Sequence, residues 1–208
     1  MQADFSIACG ADDECLEIPW AAEDGALRYV DLKQNPALIA DLDEARHFPE
    51  IADFLRITNS AGSRFQTAKC DAWFTQELTV EDEPFGTSGK FGSYVDVLFA
   101  SPVARRSLEQ NEACVGSLVR WLQRAPEMPA SAEFLVRRCL FADDRAEDGR
   151  SEDDRAGDDR TDAEGFYVTC YVFGYSDNEE QARKHWEIAL RLLGNALLQI
   201  STESEKQV

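Results

Sequence analysis

The stretch FYVTCYVFGYSDNEEQARKHWEIALRLLGNALLQI, residues 166–200, changes its period part-way along. Phe166 to Tyr175 alternates in steps of two, as a half-buried strand does. After Ser176, the residues Ala182, Trp186, Leu190, Leu193, Leu197 and Ile200 recur at helical spacing. Asp177 with Glu180 forms a capping-box-like start for that helix. A strand that runs straight into an amphipathic helix needs other strands beside it and a sheet face under the helix.

Working outward, the same order recurs. Ser131 to Phe141 reads as the strand preceding Phe166 to Tyr175. Upstream, Phe65 to Leu78 and Phe91 to Ala100 read as a strand pair. Ser101-Pro102 then opens a helix with Leu108, Val115, Leu118, Val119 and Leu122 on one side. Before these, Phe5 to Ala8 and Arg28 to Leu32 read as short strands, with Glu17 to Trp20 as an edge strand broken by Pro19. Asn35-Pro36 starts a helix that Pro49 kinks or restarts and that Asn59 to Gly62 end. The expected class is therefore α+β. About three strand-strand-helix units build an antiparallel or mixed sheet with helices on one face. One domain over 1–208 is expected, with 1–62 as an N-terminal subunit and 63–208 as a duplicated pair of units. Tyr94-Val95-Asp96-Val97 and Tyr167-Val168-Thr169-Cys170 stand at matching places in the two repeats.

Between the last two strands, Asp143 to Glu164 carries Arg at 145, 150, 155 and 160, and no apolar residue larger than Ala. This acidic insert is expected to be a flexible spacer outside the core. Its spacing lacks the alternating ligands, central Gly and closing Glu of a calcium loop.

Acidic residues number 40 against 21 basic, a net charge of -19. Nucleic-acid affinity rests on Lys and Arg neutralising phosphates, so a nucleic-acid partner is excluded. An anionic membrane surface is excluded for the same reason. The longest apolar runs fall short of the ~20 residues that cross a bilayer, and the start of the chain lacks the pattern of a secretory signal. Six cysteines without a C-x-x-C pair fit reduced, structural thiols and a cytoplasmic location. His47 and His185 have no Cys or His at ligand spacing, so no metal site is expected, and no cofactor. Gly86 to Gly92 superficially resembles a phosphate loop, but Phe91 follows Lys90 and a strand comes next; it reads as a Gly-rich hairpin connection.

The candidate site comes from parity. Period two puts Lys69, Asp71 and Trp73 on one face, with Tyr94 and Asp96, and with Tyr167, Thr169 and Tyr171, on corresponding faces of their strands. Arg137 and Arg138 are adjacent, so one of them shares that face, and Arg137 is taken as the site residue. Cys70, Ala72, Val95, Val97, Val168 and Cys170 alternate with these and should lie under the helices. The leading expectation is a non-catalytic binding or protein-interaction module that uses an open sheet face. Its partner would be a protein, a small molecule or a second copy of the chain. Two alternatives stand beside it. One is a hydrolase-like enzyme of small molecules using Asp71 and Asp96; the other is an acidic inhibitor or immunity-type protein for a basic partner. The competing account of the face itself is that the N-terminal strands already cover it.

Overall fold

A computed structural model of the protein describes residues 1–25, 27–141 and 164–205. Helix accounts for 39% and strand for 32% of the chain, and the two are segregated by face, which makes the class α+β. The strands are β1 (Gln2–Ala8), β2 (Cys15–Ile18), β3 (Phe65–Thr75), β4 (Lys90–Phe99), β5 (Ala130–Phe141) and β6 (Glu164–Tyr175). The helices are α1 (Asp43–His47), α2 (Pro49–Thr58), α3 (Pro102–Arg105), α4 (Leu108–Leu122) and α5 (Glu179–Glu205), with 3-10 turns at Pro36–Asp41 and Val80–Phe85. Among the described residues no helix is long and apolar enough to cross a membrane.

The strands form one mixed sheet in the order β1-β5-β6-β4-β3. The β3–β4, β4–β6 and β5–β6 pairs are antiparallel; β1 and β2 both run parallel to β5, end to end along its outer edge. Two hairpin-type pairs, each followed by helix, thus meet at the centre through their second strands. The acidic insert of Asp143 to Glu164 lies outside the described residues apart from Glu164, the first residue of β6.

One face of the sheet carries the helices. Val95, Val97, Phe134, Val136, Val168, Cys170 and Val172 are buried there against Leu55 of α2, Val115 and Leu118 of α4, and Trp186, Leu190 and Leu193 of α5. Cys70 and Ala72 also pack into this layer, as parity requires. Small residues at Ala182, Ala189 and Ala196, all fully buried, bring α5 close to the strands. Trp186, likewise fully buried, donates its indole N–H to Ser93 Oγ at 2.8 Å.

Four local expectations differ. The helix opened by Ser101-Pro102 stops after Arg105 and restarts at Leu108, where Ser107 Oγ caps it by accepting from the Gln110 N–H at 3.2 Å. Arg28 to Leu32 is not a strand: it makes a single bridge, Ala21 to Arg28, and packs Val30 and Leu32 over the core as irregular chain. A short segment whose Val30 and Leu32 reach the core does so in either form, so periodicity could not choose. The cap of α5 is Asn178, whose Oδ1 accepts from the Gln181 N–H at 2.9 Å; Asp177 instead accepts from the Ser88 N–H at 3.0 Å. Asn35 makes no side-chain cap, and the segment after Pro36 begins as a 3-10 turn.

Lys33 ties the irregular N-terminal segment to the start of β3. Its ammonium donates to the carbonyls of Ser60 (3.0 Å), Ser63 (2.7 Å) and Phe65 (3.0 Å). Hydrogen bonds from a charged donor contribute more than neutral ones. Lys33→Met should therefore destabilise the protein by roughly 2 kcal/mol, a fall in melting temperature of about 4–8 °C. Thermal unfolding followed by circular dichroism checks this; an unchanged midpoint would mean that the three carbonyls are equally well served by water.

Candidate functional site

Among the described residues no helix packs on the second face of the sheet, and register builds its rows. Asp71 stands beside Tyr94, Tyr94 beside Tyr171, and Tyr171 beside Glu133. The next row, toward the Val80–Phe85 turn, runs Trp73, Gly92, Phe173 and Ser131. On the other side run Asp96, Thr169 and Leu135, then Tyr167 and Arg137. The rings form a connected network. Trp73 is 6.4 Å from Tyr94 and 6.4 Å from Phe173; Tyr94 is 6.3 Å from Tyr171, which is 6.4 Å from Phe173. These four aromatic side chains are half-buried.

Two walls bound this patch. At one end the segment from β2 through Tyr29 lies across the face, where Leu16, Ile18, Leu98, Cys139, Phe141 and Tyr167 form a second buried cluster with Trp20 and Tyr29. At the other end the Val80–Phe85 turn acts as a strap. Phe85 stacks on Tyr175 with ring centroids 3.7 Å apart, and the strap leaves through Gly86, whose φ of +62° suits glycine. Asp82 anchors it, accepting from Lys90 Nζ at 2.6 Å, the Thr79 N–H at 2.7 Å and the Tyr175 hydroxyl at 2.9 Å. Burial pushes the Asp82 carboxyl up, but these hydrogen bonds outweigh it and hold the group below the ordinary range. Lys90, whose amine also sits 4.8 Å from the Phe173 ring, is thus committed to the strap rather than offered to an anion.

The predicted site residues divide accordingly. Trp73, Tyr94 and Tyr171 share the patch, and Asp71 lies exposed at its β3 edge. Tyr167 has the right parity but is 2% exposed beneath the N-terminal segment, so it supports the patch from below and is no contact surface. Arg137 faces this side; its guanidinium bonds the Tyr167 hydroxyl and donates to Glu14 Oε2 at 2.7 Å. Arg138 lies on the opposite face, donating to the Gly10 carbonyl at 2.6 Å and pairing with Glu164. Lys69 is displaced by a β-bulge: pairing jumps from Thr67–Val97 to Cys70–Val95, and the Lys69 amine stands 4.8 Å from the Trp20 ring.

That bulge lies opposite Asp96, which is 5% exposed. Its Oδ1 accepts from the Thr169 hydroxyl at 2.7 Å. Burial raises the carboxyl from 3.8 to about 6, opposed by the Thr169 hydrogen bond and by the charges of Lys69 and Arg137. Burial, with Asp96 and Asp71 nearby, likewise lifts the Tyr94 phenol to about 12, so it stays protonated and acts as a neutral hydrogen-bonding ring. Asp71 turns its Oδ1 to the Ala72 N–H at 2.7 Å. The two carboxylates do not share a row, one being exposed at the edge and the other buried at the centre. Neither histidine reaches this face: His47 Nδ1 meets the Asp43 carbonyl, and His185 Nδ1 the Tyr175 carbonyl. Among the described residues no group of three His, Cys, Asp or Glu side chains is placed to hold a metal ion.

Phe173, Tyr175 and Glu133 were legible by the same parity as Tyr171 and Arg137, because they share strands with them. Trp20, Phe85 and Asp82 were not, since their positions depend on where loops return. The chain matches no family model, no curated protein and no solved structure.

Proposed function

We propose that the protein is a binding module whose open sheet face grips a neutral or basic partner through its aromatic patch. The observation that carries this reading is the network of Trp73, Tyr94, Tyr171 and Phe173, left half-exposed between two walls. Solvation alone needs no such rings. Tyr and Trp supply large contact area with few rotatable bonds, which favours recognition. Asp71 and Glu133 border the patch, and the net charge of -19 favours approach by a cation-bearing partner. The six unpaired cysteines fit a reducing compartment.

Trp73→Ala tests the reading. Random peptides are selected on the wild-type protein and titrated against both proteins. The expectation is that they carry Lys, Arg and aromatic residues and bind the variant roughly ten-fold more weakly, a loss typical of an interface anchor. The variant's stability should fall by less than about 1.5 kcal/mol, against the ~3–5 kcal/mol of a core aromatic. Equal binding to both proteins, or a core-sized loss of stability, would remove the patch from consideration. The second reading, an acid-base enzyme, has in its favour the Asp96 carboxyl at about 6; the placement of Asp71 away from it weighs against a carboxylate pair.

A further inference from the structure

Beside the aromatic patch, on the free edge of β3, the N-terminal segment stands off from the sheet and leaves a cleft of about 310 Å³. That is near the lower end of the roughly 300–1,000 Å³ range of small-molecule sites. Its inner wall is apolar: Val30, Leu32, Leu42, Leu55 and Trp20. Its mouth carries two cations, Arg28 and Lys69, and two carboxylates, Glu44 and Asp71. Elsewhere such groups pair at short range, as in Lys90–Asp82, Arg183–Glu50 and Arg137–Glu14. Among the described residues none of these four forms an ion pair, and the Lys69 amine rests on the Trp20 ring at 4.8 Å.

The backbone of β3 supplies the third element. A strand edge offers N–H and C=O groups at alternate residues. Here two of those groups, one on each side of Cys70, are already occupied. The Trp20 indole N–H donates to the Ala68 carbonyl at 3.0 Å, and the Asp71 carboxylate takes the Ala72 N–H at 2.7 Å. Cys70 lies between them in the regular register with Ala72, so its peptide groups point the same way, into the cleft that Cys70 lines. Neither of those two caps reaches them. The open window is therefore one residue long. A continuous peptide strand is blocked on both sides, while a ligand with one extended residue can exchange both hydrogen bonds with Cys70. The thiol is no competitor for chemistry, because burial pushes it up to about 12.

We infer that this cleft binds a zwitterionic dipeptide with apolar side chains. One ligand residue pairs with the Cys70 peptide groups, using its peptide bond and one charged terminus. An apolar side chain enters between Trp20 and Leu42. The ammonium terminus is met by Glu44 and Asp71, and the carboxylate terminus by Lys69 and Arg28. This site goes beyond the aromatic patch: Trp73 and Phe173 take no part in it.

The test is calorimetric titration of the full chain with the dipeptide Leu-Leu. Free leucine and N-acetyl-Leu-Leu-amide serve as controls, the second keeping the apolar side chains and losing both charges. Leu-Leu should bind with a Kd below about 1 mM, and each control roughly ten-fold or more weakly. The mouth variants Lys69→Met and Arg28→Glu should each weaken Leu-Leu about five-fold or more, and Leu42→Trp, which fills the cleft, should abolish binding. Trp73→Ala should leave Leu-Leu affinity within about two-fold, separating this site from the patch. No heat with Leu-Leu up to about 10 mM would overturn the inference. Equal binding of the acetyl-amide would also overturn it, as would affinity unmoved by both mouth variants. The mouth variants alter exposed or half-exposed side chains, so they remain informative even if Leu42→Trp fails to fold.

Discussion

Gly174→Ala is expected to abolish the native packing of α5. Gly174 sits in β6 where the helix crosses the sheet. A Cβ there would lie 2.2 Å from the Trp186 nitrogen, 2.3 Å from the Ala182 carbonyl oxygen and 2.8 Å from the His185 carbonyl carbon. All three are backbone atoms, so no rotamer change relieves the overlap. The helix would have to lift, and interiors packed near crystal density do not absorb such a shift cheaply. Lifting α5 loosens fully buried Trp186 from Phe91, 4.6 Å away between ring centroids, and from its Ser93 hydrogen bond. The expected cost exceeds about 4 kcal/mol, a fall of roughly 10 °C or more in melting temperature or failure to fold. Gly62→Ala is the control, with nothing within 4 Å of an added Cβ; it should stay within about 0.5 kcal/mol of wild type. Calorimetric unfolding of both proteins decides the matter, and a Gly174→Ala midpoint within about 4 °C of wild type would show that α5 can move.

Such close approach was invisible in the amino-acid sequence, whereas the layers were not. Period two correctly sorts Cys70, Ala72, Val95, Val97, Val168 and Cys170 to the helix side, because alternation is a local property of extended chain. The apolar stripe of α5 is local in the same sense. What periodicity does not carry is partnership. That β1 and β2 run parallel to β5, over a hundred residues away, depends on which edge the N-terminal chain finds after folding. The same non-locality decides the candidate site. Parity brings Tyr167 and Tyr171 to one face, but whether each is exposed depends on the segment around Trp20 and Tyr29, which covers the first and stops short of the second. Lys69 was assigned by counting in twos, and the bulge between Thr67 and Cys70 breaks that count at the one place where the cleft opens.

Both free edges of the sheet carry one local device. In β1 the Asp4 carboxylate takes the Phe5 N–H at 2.8 Å, and in β3 the Asp71 carboxylate takes the Ala72 N–H at 2.7 Å. An acid that occupies its own strand's donor and projects charge from the edge discourages a second strand from pairing there. Part of the chain's acidity therefore serves to protect strand edges.

The stability of the protein should fall as pH rises through the range where Asp96 ionises. Its carboxyl titrates at about 6 in the folded chain against an ordinary 3.8, burial being the main cause. A raised folded-state value means that the native state holds the proton more tightly than the unfolded state. Stability from this group is then fully present below about 3.8, is lost between about 3.8 and 6, and stays lost above. The difference corresponds to about 3 kcal/mol, an upper bound because Lys69 and Arg137 can adjust toward the charged form. Asp82 and Glu50 have lowered values and push the opposite way over a more acidic range, so the total profile mixes several groups. Asp96→Asn isolates the one of interest. The amide oxygen still accepts from the Thr169 hydroxyl but never ionises. Urea unfolding should show the variant more stable than wild type by about 2 kcal/mol at pH 7.5, with the advantage gone or reversed near pH 4. A difference that stays constant from pH 4 to 7.5 would mean that Asp96 is charged throughout, with a cation closer than Lys69 or Arg137 now stand. The expected outcome instead makes Asp96 a group whose ionisation opposes the fold near neutrality, one row along the sheet from Tyr94 and Tyr171, where a basic partner on the aromatic patch would favour its charged form. Binding of a cationic peptide should accordingly tighten as pH rises from 5 to 7, with release of a proton, and Asp96→Asn should remove that pH dependence.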